Sequence, residues 1–213
     1  MKLEAVIFDL DGVIVHTDMY HYQAWKKLAD SLHIPFDETI NNRLRGVSRM
    51  ESLEIILERY TGPALSPEQK TEMASQKNAY YRESLQQLTH QDVSKEVLET
   101  LAAIRHRGYK QAIGSSSKNA RFILERVGLL DWFDAISDGN NITHSKPHPE
   151  VFEKAAEYLG IGYDKCLVVE DAFAGIDAGK AAGMATAGMG DAAKYTAADY
   201  RITHFGELLE ILQ

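Results

Sequence analysis

Two carboxylates two residues apart, Asp9 and Asp11 in Phe8-Asp9-Leu10-Asp11-Gly12-Val13, follow directly on the apolar run Ala5-Val6-Ile7. Charges at the end of a buried strand are costly to hold unless each gains a partner or is neutralised. A divalent cation is a partner that suits both. Alternate residues of an extended chain share a face, so Asp9 and Asp11 can converge on one spot where the strand ends. Gly12 permits a sharp exit from the strand and lets backbone amides approach an anion. The alternative is a pair of solvated turn residues closing a strand.

Three further pieces follow along the chain. Ser115-Ser116-Ser117-Lys118-Asn119 stands between an apolar strand pattern, Tyr109 to Ile113, and a helical pattern, Ala120 to Val127. Hydroxyls and amides at a strand-to-helix junction make an anion cradle, because the helix start presents unpaired N–H groups and a positive dipole end. Ordinary N-capping by Ser117 or Asn119 is the competing reading. Lys146-Pro147 is expected to open a helix running to about Gly160, with Pro147 in the first turn and Lys146 reaching a phosphoryl oxygen or solvent. Cys166-Leu167-Val168-Val169 is a buried strand ending in Glu170-Asp171, ahead of a small-residue helix from Ala172 to Ala182. Asp171 either completes an oxygen-ligand site with Asp9, of a kind suited to Mg²⁺, or caps that helix.

These four pieces, in this order and over essentially the whole chain, resemble the haloacid dehalogenase superfamily of phosphotransferases. The resemblance implies that Asp9 is an aspartyl nucleophile that takes a phosphoryl group. It makes Asp11 the general acid and base, with its backbone carbonyl on the metal. It assigns Ser115 and Lys146 to the phosphoryl oxygens and Mg²⁺ to Asp9, Asp11, Glu170 and Asp171. That division of labour is physically sound, since charge on the equatorial oxygens must be balanced before one anion can attack another.

The elements that must position these residues fall into two kinds. Between Val13 and about Asp92 the spacing is helical, with Tyr22, Trp25, Leu28, Leu53, Ile56 and Leu57 as its apolar positions. From Ser94 onward short apolar strands alternate with helices, at Tyr109–Ile113, Asp134–Ile136, Leu167–Val169 and Ala185–Gly188. Alternation of this kind predicts an α/β fold, a Rossmann-like parallel sheet with ligands at the carboxyl ends of its strands. The expected organisation is a catalytic core of residues 1–16 and 92–213 with an inserted α-helical cap of residues 17–91. Flexible joints are expected near Val15 to Asp18 and Leu88 to Val93.

The cap segment Leu44-Arg45-Gly46-Val47-Ser48-Arg49, with Ser52, sets two arginines around a glycine. With Thr17, His21, Trp25 and Gln76-Lys77-Asn78 it is similar to the sugar phosphomutases of that superfamily. The similarity implies that Arg49, with Ser117, Lys118 and Asn119, binds the phosphate that is not being transferred. It puts Arg45, Gly46, Val47, Ser48, Ser52, Trp25 and Lys77 around the sugar and has His21 support Asp11. Packing between helix positions i and i+4 is the competing account of His21 and Trp25. Arg45 stands where these relatives usually carry lysine, and Val15 and His16 also depart from their pattern. The implied activity moves a phosphoryl group between the 1 and 6 positions of glucose, through a bisphosphate. A sugar-phosphate phosphatase with the same core is the first alternative. A phosphorylation-controlled receiver module is a distant one, since receivers lack an acid/base two residues after the acceptor and a large helical insertion.

Composition sets bounds on these readings. The chain has 213 residues, 45% of them hydrophobic, enough for a core with an inserted subdomain. A net charge of −8 argues against non-specific nucleic-acid binding, so phosphate must be met by local basic residues. A lone cysteine, Cys166 in an apolar strand, reads as packing and excludes an intrachain disulfide. No apolar run reaches the ~18 residues of a membrane span, and Asp9 comes too early for a signal peptide. The expectation is a cytoplasmic monomer acting on a small sugar phosphate.

Overall fold

The computed structural model describes residues 2–45 and 47–213, so the sugar contact expected of Gly46 lies outside the described residues. Strand β1 (Ala5–Phe8) is buried along its whole length, which unbroken apolar sequence demands of a strand covered on both faces. It leads into a helical block of α1 (Asp18–Ser31), α2 (Glu38–Asn42), α3 (Arg49–Leu57) and α4 (Pro67–Leu85). The chain then alternates through α5 (Lys95–His106), β2 (Lys110–Gly114), α6 (Ala120–Arg126), β3 (Ala135–Ser137) and α7 (Glu150–Leu159). It ends with β4 (Cys166–Glu170), α8 (Phe173–Ala181), β5 (Ala185–Gly188), β6 (Tyr200–Arg201) and α9 (Leu208–Ile211).

The strands form a six-stranded sheet in the order β3-β2-β1-β4-β5-β6, parallel at every pairing. Strand β1 sits at the centre, with Phe8 level with Ile113 of β2 and Val169 of β4. Strand order reverses there, and such a reversal opens a crevice at the carboxyl ends of the strands. The period of two divides the core. Val6, Phe8, Ile113, Leu167 and Val169 pack with Leu101, Ile104 and Ile123 on one face, while Ile7, Ala112 and Val168 pack with Val151, Phe152 and Ala178 on the other. The expected α/β class with a helical insertion is therefore what the chain adopts.

The helical block has an apolar cluster of its own, built on Trp25, Leu28, Phe36, Ile40, Leu53 and Ile56. Tyr81 and Leu85 of α4 instead join the sheet's cluster, tying the block to the core beside the site. Helices α3 and α4 are started by capping boxes, Ser48 with Glu51 and Ser66 with Gln69, and Pro67 follows the second cap. The Lys146 helix begins later than its sequence suggests. Pro149 is the N-cap of α7 and Glu150 its first residue, so Pro147 lies outside the helix, after a cis Lys146–Pro147 bond. A residue that precedes proline is disfavoured in helical geometry, which keeps His148 out of the helix.

Candidate active site

Asp9 is the first residue past β1, and its amide donates to the Val169 carbonyl at 2.9 Å, which carries the parallel pairing one residue beyond the strand. Its carboxylate is nearly buried and accepts from Lys146 Nζ at 2.5 Å. The same ammonium donates to Glu170 Oε1 at 2.6 Å at the end of β4. The Lys146 side chain is only 1% exposed, so the interaction is little screened. Burial works against its charge, but Asp9 and Glu170 outweigh burial and raise its pKa.

Asp171 completes this anionic corner. It does not cap α8, whose N-cap is Ala172 with no side-chain bond, and its carboxylate is free to face Asp9 and Glu170. Asp9, Glu170 and Asp171 each offer an oxygen, and these oxygens lie within 4.8 Å of one another. Burial first, and then repulsion within the group, raises the pKa of Asp171; burial raises that of Glu170 despite Lys146. Hard oxygen donors in excess of their buried counter-charge fit a cation of the Mg²⁺ type. Two glycines make room for the corner. Gly12 has φ +87°, and a Cβ there would lie 2.2 Å from Asp171 Oδ2; at Gly175 of α8 it would lie 1.9 Å from Glu170. The first role was legible as a turn glycine, whereas Gly175 in A-G-I gave no signal.

The side chain of Asp11 turns away from this corner and accepts a short hydrogen bond from Thr17, which in turn accepts from Tyr81 Oη at 3.2 Å. Burial and the Asp9 charge raise the Asp11 carboxyl to about 7, against the lowering effect of the Thr17 bond. His21 does not bond to Asp11. Its Nδ1 lies 3.0 Å from Lys77 Nζ and its ring packs on Tyr81 at 4.0 Å between centroids. Tyr81 was missed in the sequence because its spacing from Lys77 on α4 reads equally as core packing.

In the serine-rich loop, Ser115 and Ser117 each accept from the amide two residues on, at 3.2 Å, which leaves their O–H protons free to donate to a ligand. Neither residue caps α6. Asn119, its N-cap residue, makes no capping bond and reaches across to the helical block, donating to Asn78 Oδ1 at 2.9 Å and accepting from Arg82 at 3.3 Å.

The segment before α3 behaves in two ways. Arg45 folds onto the acidic corner, with nitrogens 2.5 Å from Asp18, 3.2 Å from Asp191 and 3.7 Å from Asp171. The Ser48 hydroxyl accepts from the Glu51 amide at 3.2 Å as the α3 cap. Arg49 is partly buried and, among the described residues, has no carboxylate partner; the same holds for buried Lys77 and exposed Lys118. Lys77 lies over the Trp25 ring at 4.5 Å, and burial, followed by the Arg49 charge, lowers its pKa far below the usual lysine range.

A cavity of about 1170 Å³ joins these parts. Asp9, Asp11, Ser115, Lys146, Glu170 and Asp171 line one side; Trp25, Val47, Arg49, Ser52 and Lys77 from the helical block, with Ser117, Lys118 and Asn119 from the core, also face it. Cys166 stays out of the chemistry. It is buried, and its thiol is pushed up to about 11 by burial. Among the described residues no helix is long and apolar enough to cross a membrane.

Known proteins resemble this chain in sequence and in fold. A β-phosphoglucomutase of Bacillus subtilis is 39% identical over 99% of this chain and 94% of its own length. A phosphorylated carbohydrates phosphatase of Thermotoga maritima is 30% identical over 85% of this chain and 82% of its own. The crystal structure of β-phosphoglucomutase from Clostridium difficile superposes with a TM-score of 0.91 at 39% identity, covering 97% of this chain and 93% of that one. Residues 3–183 match the haloacid dehalogenase-like hydrolases, the grouping to which the acidic corner, the serine loop and the buried lysine already pointed, and this enzyme belongs to that family.

Proposed function

We propose that the enzyme is a β-phosphoglucomutase, interconverting β-glucose 1-phosphate and glucose 6-phosphate through phosphorylated Asp9 and a bound 1,6-bisphosphate. The observation that carries this reading is the cationic side of the cavity. Arg49, Lys77 and Lys118 face the same space as Asp9, and none has a carboxylate partner among the described residues. Basic groups that line a cavity without carboxylate partners suit an anionic ligand. A second phosphate subsite lets one sugar bisphosphate present either end to Asp9.

The residues divide the steps between them. An Asp9 oxygen attacks phosphorus, the bond from phosphorus to the sugar oxygen breaks, and the Asp11 carboxyl gives that oxygen its proton. In the other half of the cycle Asp11 takes the proton from the free hydroxyl of a sugar monophosphate, whose oxygen attacks phospho-Asp9, forming the bisphosphate and freeing the Asp9 carboxylate. A carboxyl raised to about 7 is poised for both directions. Lys146 and the Ser115 hydroxyl balance charge on the transferring group, and Lys77 is placed to meet a phosphate elsewhere in the cavity. Asp9, Glu170, Asp171 and the Asp11 carbonyl would hold Mg²⁺, whose part is to offset negative charge during transfer. Residues 17–91 act as a cap that closes on the core formed by 1–16 and 92–213 and excludes water from phospho-Asp9.

The test is a coupled assay for glucose 6-phosphate from each anomer of glucose 1-phosphate, with Mg²⁺ and bisphosphate, alongside measurement of inorganic phosphate. The reading expects turnover of the β anomer that needs the bisphosphate primer. Arg49→Ala should slow isomerisation about tenfold to a hundredfold while Asp9 still accepts phosphate, the loss expected of a removed charged contact. Phosphate release that outpaces isomerisation would make the enzyme a phosphatase instead.

A further inference from the structure

We propose that His144, His148 and Glu150 form a second metal site, for a borderline divalent cation such as Zn²⁺, at the rim of the cavity. Each offers one ligand atom, and the three atoms lie within 4.8 Å of one another. The two imidazoles are exposed and stacked, with ring centroids 4.6 Å apart and planes at 29°, so both reach the same volume of solvent.

The carboxylate is built into place. Glu150 Oε2 accepts from the amides of Thr143 at 3.0 Å and His144 at 2.7 Å, while Lys154 stands 3.7 Å from Oε1. Its side chain is 17% exposed, so little rotamer freedom remains to be lost on binding. His144 Nδ1 already sits 3.3 Å from Oε2. His148 Nδ1 accepts one long bond, from the Glu150 amide at 3.3 Å, and an ion at that nitrogen replaces this bond. The amide freed is at the first position of α7, where no intrahelical partner exists and water can serve.

Two imidazoles and one carboxylate with positions open to solvent make a ligand set that favours Zn²⁺, Ni²⁺ or Cu²⁺ over Mg²⁺. The all-oxygen corner of Asp9, Glu170 and Asp171 has the opposite preference, so donor chemistry sorts two kinds of ion between two sites. The placement also has a consequence. Lys146 lies between the two histidines in sequence, and an ion that ties His144 to His148 fastens both flanks of the segment that presents Lys146 to Asp9.

The test is calorimetric titration of Zn²⁺ into the untagged full chain, with Mg²⁺ in large excess to fill the carboxylate corner. One Zn²⁺ per chain is expected, and His144→Ala and His148→Ala should each weaken it about tenfold or more, as loss of a metal's protein partner does. Asp171→Asn should leave Zn²⁺ binding intact. Imidazole ¹⁵N resonances give an independent reading, in which both histidines shift together on adding the ion. Absence of zinc binding, binding unchanged in both histidine variants, or binding abolished by Asp171→Asn would each overturn the assignment.

Discussion

Replacing Lys146 with Met removes one ammonium and keeps the length and apolar stem of the side chain. The ammonium is 2.5 Å from Asp9 and 2.6 Å from Glu170, with 1% of the side chain exposed. Taking one partner out of a buried ion pair typically costs about 3–5 kcal/mol, because the remaining charge stays buried without compensation. In a chain of this length each kcal/mol moves Tm by roughly 2–4 °C, so the drop should be about 6–20 °C. The loss must also depend on pH. Glu170 and Asp171 already have raised pKa values, so the native chain binds protons more tightly than the unfolded one. Stability from such groups is present below the unfolded carboxylate range and is lost as pH rises through the folded values. Without Lys146 those folded values climb further. The deficit should therefore be largest near pH 8 and shrink towards pH 5, and Mg²⁺ should recover part of it, about 2.7 kcal/mol at a hundredfold excess over its Kd. Thermal melts at both pH values, with and without Mg²⁺, measure all three. A variant that melts within about 2 °C of the parent at pH 8, or shows equal deficits at both pH values, would refute the reasoning.

Other perturbations isolate single parts of the site. Gly175→Ala puts a methyl group 1.9 Å from Glu170, so Mg²⁺ affinity measured by calorimetry should fall about tenfold or more while the helical content of the chain is kept. Thr17→Val removes the bond that lowers the Asp11 pKa. The alkaline fall in the rate of Asp9 phosphorylation, set by loss of the Asp11 proton above about 7, should then move up by roughly one pH unit in single-turnover measurements. Lys77→Met removes a buried amine with no carboxylate partner, so Tm should stay level or rise, whereas KM for the sugar phosphate should increase about tenfold or more. A parallel loss of Tm and affinity would instead make Lys77 a structural residue.

Legibility followed how local the cause was. The strands that meet at the site were plain because their cause is a short unbroken apolar run, as at Ala5–Phe8 and Cys166–Val169. Strand β6, of two exposed residues, has no such run, and it exists because Ala187 and Gly188 of β5 supply partners. Pro147 was misplaced because two prolines near a helix start give competing signals, and the one adjacent to the helix prevailed. Within the site, spacing and resemblance brought Asp9, Lys146, Glu170 and Asp171 to one corner. What no spacing could reveal was second-hand contact: the Tyr81–Thr17–Asp11 chain, the pairing of His21 with Lys77, and the small volume Glu170 needs over Gly175. The Tyr81–Thr17 and His21–Lys77 contacts join elements distant in sequence, whereas Thr17 and Asp11, and Glu170 and Gly175, are brought together by how the chain leaves β1 and β4.

Arg45 shows how the two sides of the cavity constrain each other. It is carried by the helical block, yet its guanidinium bridges Asp18 of that block to Asp191 and Asp171 of the core. A cation brought to within 3.7 Å of Asp171 partly offsets the crowding that raises the pKa of that carboxylate. Lysine, with a single compact ammonium, would not span three carboxylates in this way, because it lacks the forked donors of arginine. Arg45 of the helical block therefore adds positive charge to the acidic corner of the core where the two meet. Arg49, four residues on, has no carboxylate partner among the described residues and faces the cavity. The same short segment thus carries one arginine paired with carboxylates and one that faces the cavity, and the distinction rests on the carboxylates around each rather than on the side chains themselves.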